Sequence, residues 1–416
     1  MSTLQRPKLA IRLPKIPHFE VSIVLLVFAG KLKAVAPFSL LPFDFTGAAL
    51  VLCTATAIGR ISIKKKLPKQ IIIALAFFAP IPILVATSVA WSPQGIYSLS
   101  KAINFCLITT PILVLPLIVR NIKLSAIIHT TFALALLYAI LYFYKQSTNP
   151  EETIEINYLS SSRFIATGAC IGICLSTVAL ATGKIGAFTI LIAATIGLTT
   201  STFITGGRMP LIALLTTTAA NIIYYLSSLS HGKQKLEQIG FGCLFGVALI
   251  VAIGSLKSQT TFDFHTLNRI TVLFNETGMG DSATARISLI NASLEAINTN
   301  PLTGTGAGGL GDGTDRVYSH NLFLEVITEY GIVPFIALCL LIAHSFGSLI
   351  AAHTKGCPNS IVLTILSIHL FNLTNAMVSG DLNDNRALFF TTSLSILTAT
   401  IREQKPTIRS HFRGTI

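Results

Sequence analysis

Apolar runs of roughly 17 to 25 residues, the length that crosses a bilayer core of about 30 Å, recur from near residue 20 to near residue 400. They predict helices over 19–37, 43–60, 70–90, 99–119, 124–144, 162–182, 185–205, 208–229, 238–256, 320–352, 358–379 and 386–402. An all-α polytopic membrane protein with about twelve spans follows, the chain 1–416 forming a single integral membrane domain. The tenth span is long enough for two pieces, with a break expected at Gly331 or Pro334. Lys31 and Lys33 fit poorly inside the first span. It is expected to end early, its lysines snorkelling or lying in the outer loop. One long polar loop, 257–319, separates the ninth and tenth spans. Within it, "DSATARISLINASLEAINTNPLTG" places Ile287, Ile290, Leu294 and Ile297 on one stripe. Asp281 or Ser282 can cap its start, and Pro301 with Gly304 ends it. This segment predicts an amphipathic helix on the membrane surface or against the bundle.

Composition narrows the class. The chain is 52% hydrophobic and only 11% charged, with a mean hydropathy of +0.70, which excludes an ordinary soluble domain. Loops facing the cytoplasm collect Lys and Arg. The basic set is the leader with Arg6, Lys8, Arg12 and Lys15, then "RISIKKKLPK" (60–69), "RNIK" (120–123), Lys184, "HGKQK" (231–235), "HTKG" (353–356) and the C-terminal tail. The alternate loops hold nearly all the acids, among them Asp44, "EETIE" (151–155), Asp381 and Asp384. Both termini are therefore expected in the cytoplasm and the acidic loops outside, in a periplasm if the cell is Gram-negative. "AVA" at 34–36 resembles a signal-peptidase site, but the leader is long for a signal peptide, and the charge pattern works with the first helix retained. The cysteines fall in or beside apolar runs and suggest neither a disulfide framework nor a zinc site.

Against this charge pattern, Arg163, Arg208, Arg269, Arg286, Arg316 and Arg386 lie on the outward side. One such arginine can snorkel or pair with an acid, but several on one face suggest an anion. Guanidinium groups hold phosphate through paired hydrogen bonds, so a diphosphate is the natural candidate. "GTGAGGLGDG" (304–313) contains G-x-G-x-x-G without the βαβ setting of a dinucleotide site, and reads as a hinge or turn. Asp312 and Asp315 suit a solvated turn better than a metal site. His320, in "YSHNLFLEVITEYG" (318–331), stands just before an apolar helix. A helix N-terminus and nearby arginines both disfavour the imidazolium, which leaves a neutral ring able to accept a proton. Glu325 and Glu329 lie four apart on that helix and read as structural, although Glu325 could orient a catalytic partner.

Three ordered segments, "TGGRMPLIALL" (205–215), "ARISLINASLEAINTNPLTGTGAGG" (285–309) and "SHNLFLEVITEYGIVP" (319–334), resemble the bacterial O-antigen ligase and O-antigen polymerase family. The resemblance implies a lipid-carrier-dependent glycosyltransferase of GT-C-like architecture in the inner membrane, with its active site facing the periplasm. The implied donor is a glycan on undecaprenyl diphosphate. For a ligase the acceptor is a hydroxyl of the lipid A core, and the product is lipopolysaccharide. A polymerase would use a second carrier-linked glycan. Carried over, Arg208 and Arg286 would hold the diphosphate and His320 would activate the acceptor hydroxyl. Arg386, Arg163 and Arg316 rank behind them as substrate contacts. The resemblance implies no cofactor and no metal. A transporter of lipid-linked sugars is the alternative of another class. It would call for midplane charges or an internal repeat, and the sequence shows charges gathered at one face.

Overall fold

The computed structural model describes residues 18–61, 66–148, 158–205, 207–228, 281–310, 318–355, 357 and 359–400. Among these the regular structure is entirely helical. The helices are α1 (His18–Leu32), α2 (Phe45–Ile58), α3 (Lys69–Phe78), α4 (Pro80–Thr87), α5 (Ile96–Asn104), α6 (Thr110–Ile118), α7 (Leu124–Thr148), α8 (Tyr158–Ala181), α9 (Ile185–Ile204), α10 (Arg208–Ser228), α11 (Asp281–Thr299), α12 (Leu322–Tyr330), α13 (Ile332–Thr354), α14 (Asn359–Ala376) and α15 (Arg386–Thr398). Among the described residues, six stretches are long and apolar enough to cross a membrane: Lys69–Ala90, Ile96–Ile118, Leu124–Thr148, Leu159–Leu180, Ile185–Ile204 and Ile332–Thr354. Phe45–Ile58 and Ser360–Ala376 are shorter apolar helices. The expected span 238–256, most of the loop before Asp281, and Arg269, Asp312, Asp315 and Arg316 lie outside the described residues.

Several expected spans are broken for local reasons. Pro80 starts α4 directly after α3, and one π-helical turn, Phe105–Thr109, joins α5 to α6. The expected 320–352 helix is two pieces. Gly331 at φ 83° separates α12 from α13, a conformation that a residue with a Cβ adopts only with strain. The first helix ends at Leu32, as the two lysines suggested.

The core is built around α1 and α8. In lipid, helices gain little from burying apolar surface against one another, so close van der Waals packing decides. α8 supplies a small-residue step, Gly168 and Gly172, that fits against Ala135 of α7 and Thr195 of α9. A side chain at either glycine would push those helices apart. α1 contributes Phe28, whose ring stacks on Phe164 of α8 with centroids 4.1 Å apart.

The bundle has two unlike ends. One carries the start of α1, the end of α2, the starts of α3 and α7 and the end of α15. There Arg60 closes on Glu20, and a cavity of about 510 Å³ opens beside Lys66 and Arg120. The other end carries the end of α1, the starts of α8, α10 and α15, and α12. The described arginines that the charge pattern set apart, Arg163, Arg208, Arg286 and Arg386, gather at or beside this second end.

α11 runs as its pattern predicts and packs on α12. Ser293 is its buried residue, while Ile287, Ile290 and Leu294 remain exposed among the described residues. Ile297, the fourth residue of the expected stripe, is half-buried.

Candidate functional site

The Ser-His-Asn step builds the entrance to α12. Asn321 is its N-cap: Oδ1 accepts from Phe323 N at 3.0 Å and Leu324 N at 3.1 Å, satisfying amides that a helix start leaves open. Ser319 Oγ donates to the Asn321 carbonyl at 3.0 Å. Held between cap and strap, His320 takes φ 54°. A β-substituted residue in the left-handed region is strained, and such strain persists where the surroundings enforce it. Tyr318 packs against the ring, centroids 4.3 Å apart. His320 Nδ1 is buried with no hydrogen-bond partner among the described residues. Burial, then the charges of Arg286 and Arg163, hold the imidazole pKa below its ordinary value. The neutral ring expected from helix and arginines is thus favoured, with burial the leading cause.

Arg163, near the start of α8, is 7% exposed. Its Nη2 donates one long bond, 3.4 Å, to the Asn375 carbonyl. Its Nε is buried without a partner among the described residues, as is Nε of Arg386 at the start of α15. Gly380 makes room for this arginine: a Cβ there would stand 2.8 Å from Arg163 Nη1 and 2.9 Å from Asp384 Cβ. Lys31, at the end of α1, lies within electrostatic reach of Arg163, Arg386 and Asp384. Three cations thus share the field of Asp384, with Asp381 also acting on Arg163 and Arg386. Ser162 Oγ, Ser379 Oγ and Asn375 Oδ1 are also buried without partners among the described residues.

Arg208 opens α10 just after Gly207, whose backbone abuts Ser162 beside Arg163. Arg286 is exposed on α11, near enough to act on His320. His320, Arg163 and Arg286 therefore come together, Arg386 joins through Arg163's neighbourhood, and Arg208 stands beside them on the adjoining helix end. Arg163 is the most deeply buried of these arginines.

The "GTGAGG" stretch is not a free hinge. Thr305 N donates to the Thr328 carbonyl at 2.9 Å, Gly306 N to the Glu329 carbonyl at 2.9 Å, and Ile332 N to the Pro301 carbonyl at 3.0 Å. It caps the last turn of α12 and packs on Ser92, whose Oγ donates to the Ala307 carbonyl at 2.7 Å.

Sequence reasoning missed Lys31 as a site residue and Lys101 altogether. Lys101 Nζ lies 2.6 Å from Glu325 Oε1 and 2.7 Å from Glu329 Oε1, all three residues buried. A lone lysine inside the apolar run 99–119 was the available signal, since an ionisable group there must find a partner.

The fold and site define a helical membrane protein with a polar, cation-lined site at one end of its bundle, next to a strained histidine. Residues 190–339 match the family model for O-antigen ligase, which bears out the resemblance to the O-antigen ligase and polymerase family. The matched stretch includes Arg208, Arg286 and His320 and leaves out Lys31, Lys101, Arg163 and Arg386. No curated protein matches the chain.

Proposed function

We propose that the chain is an O-antigen ligase, an inverting glycosyltransferase that moves a glycan from undecaprenyl diphosphate to a sugar hydroxyl of the lipid A core. The observation that carries this reading is the half-buried His320, its Nδ1 enclosed without a partner among the described residues, set within electrostatic reach of Arg163 and Arg286 in a stretch that matches the family.

In this reading His320 removes the acceptor hydroxyl proton as the oxygen attacks the anomeric carbon. The bond from that carbon to the diphosphate oxygen breaks on the opposite face, and undecaprenyl diphosphate leaves with the bonding electrons. Arg208 and Arg286 hold the diphosphate, and Arg163 and Arg386 add donors where its charge grows. Arg316 is a further candidate contact in the same loop. These cations take the part a divalent metal plays elsewhere, so transfer is expected to persist in chelator. The chain would span an inner membrane about twelve times as one GT-C-like domain, with cytoplasmic termini. Loop 257–319 and the site would face the periplasm, where donor and acceptor lipids meet.

An O-antigen polymerase, sharing the donor chemistry, is the second reading. A reconstituted assay separates the two: carrier-linked glycan is supplied with and without lipid A core. Label moving to the core is expected, and a ladder growing on the carrier would replace ligase by polymerase. His320→Ala should lower transfer by about 10² to 10⁴ while the protein stays folded and membrane-inserted. Wild-type rates from that variant would remove the general base, and movement of intact lipid-linked glycan across the bilayer without transfer would favour a transporter.

A further inference from the structure

Lys101, Glu325 and Glu329 are each at most 2% exposed, and their charges do not cancel. One ammonium facing two ionised carboxylates leaves a net negative charge where little can solvate it. A buried group so placed takes up a proton instead.

The two carboxyls are not equivalent. Both oxygens of Glu329 lie 2.7 Å from Lys101 Nζ. Glu325 directs Oε1 to the ammonium at 2.6 Å and accepts there from Leu382 N at 3.1 Å. Its Oε2 is buried with no partner among the described residues, so Glu325 is where a proton fits. Burial pushes its pKa up to about 8, with Glu329 and Asp381 adding to the rise and Lys101 opposing it. The groups acting on or around Glu325 are Lys101 and Tyr97 of α5, Glu329 and Tyr330 of its own helix, Tyr318 ahead of it, and Asp381. Of these, Lys101 is the one cation.

The same atoms strap the site together. Glu325 lies five residues beyond His320 on the helix that His320 introduces. Its Oε1 holds Leu382, and Asn383 Nδ2 donates to the Lys101 carbonyl at 3.0 Å. The loop carrying Asp384 and leading into Arg386 is thereby tied to both α5 and α12.

We propose that Lys101, Glu325 and Glu329 form a neutral lock holding one proton, and that this lock positions His320 against the Asp384–Arg386 segment. Glu325 is then a positioning residue. The lock stands on its own geometry, and only its effect on transfer rests on the enzymatic reading above.

The test uses the full chain in detergent, with Glu325→Gln, Glu325→Ala, Lys101→Met and the double variant Lys101→Met/Glu329→Gln. Melting is followed against pH, and kcat and donor KM are read where transfer is measured. The folded pKa of Glu325 lies above its unfolded value, so the native state binds the extra proton and wild-type stability falls as pH rises from about 5 to about 8. Glu325→Gln keeps the Oε1 acceptor and the neutral charge. It should melt like wild type at pH 7, lose much of that pH slope, and transfer within about twofold of wild type. Glu325→Ala should lower kcat with donor KM little changed. Lys101→Met should lose both melting temperature and kcat, and the double variant, neutral again, should recover much of each. The lock is overturned if Glu325→Gln melts as low as Glu325→Ala, if it keeps the wild-type pH slope, or if the double variant is no better than Lys101→Met. Should the wild type transfer no glycan, the enzymatic reading falls, and the pH slope of Glu325→Gln still decides the lock.

Discussion

Arg60 and Arg163 reach into opposite ends of the same bundle, and their partners differ in kind. Arg60 is closed. Its Nη1 and Nη2 donate to the two oxygens of Glu20 at 2.7 and 3.1 Å, and Nη2 also reaches the Arg120 and Asn121 carbonyls at 2.9 and 2.6 Å. Glu20 is completed by Lys123 N at 3.0 Å. Arg163 is more deeply buried, yet it has one long bond to a carbonyl and an Nε without a partner among the described residues. It shares Asp384 with Lys31 and Arg386. A guanidinium whose donors are used up fastens helices. One with a donor left over is, in the proposed reading, the one offered to the diphosphate.

The largest effect should come from breaking the closed partner. Arg60→Met leaves Glu20 buried without its counter-charge and should lower stability by about 3 to 5 kcal/mol, read as a fall in thermal or denaturant midpoint. Replacing Glu20 by Leu in the same chain should recover much of the loss, and transfer per folded molecule should be unaffected. A wild-type midpoint for Arg60→Met alone would show that the pair is not what holds that end.

Arg163→Met should behave in the opposite way. Removing an under-paired buried cation is neutral or favourable to the fold. Losing hydrogen bonds to a charged leaving group costs about 1.5 to 3 kcal/mol, or roughly 10- to 150-fold in kcat/KM. A loss of stability as large as that of Arg60→Met, with normal transfer by the folded fraction, would make Arg163 structural. A smaller step is Arg386→Lys. It keeps the charge but not the fork, and should raise donor KM by about tenfold, as donor titration at fixed acceptor would show.

The site face was legible in outline, since arginines that break the inward bias of basic residues pointed to it. The pattern that placed His320 before a helix also pointed to a lowered pKa, the direction that burial and the charges of Arg286 and Arg163 favour. What remained hidden depends on contacts between segments far apart in the chain. Arg163 and Arg208 look alike in sequence, each near a helix start, and only the approach of Gly380 and Asn375 from the α14–α15 region shows that Arg163 is enclosed. The glycine stretch read as a hinge or turn, and it is a turn; what stayed hidden were its partners, the last carbonyls of α12, which lie beyond His320. The breaks at Pro80 and Gly331 were written in residue type, and Gly331 was one of two positions expected to interrupt the tenth span. The π turn at Phe105–Thr109 has no comparable signature.

The smallest expected effect is also the one that tests whether Arg163 and His320 act in one site. Burial, Arg286 and Arg163 together hold the His320 pKa down. Only the neutral imidazole accepts a proton, so kcat/KM should rise with pH as the ring deprotonates and level off below neutrality. Removing a nearby cation by Arg163→Met or Arg286→Gln lets the imidazolium persist to higher pH. The acid limb of the profile should then move upward, and the rate deficit of either variant should be a few-fold greater near pH 6 than near pH 8. Arg60→Met, at the far end of the bundle, should leave the limb in place. A profile that moves equally in all three variants would mean that the shift reports general loosening of the bundle, and the electrostatic link between the open arginine and the histidine would be lost.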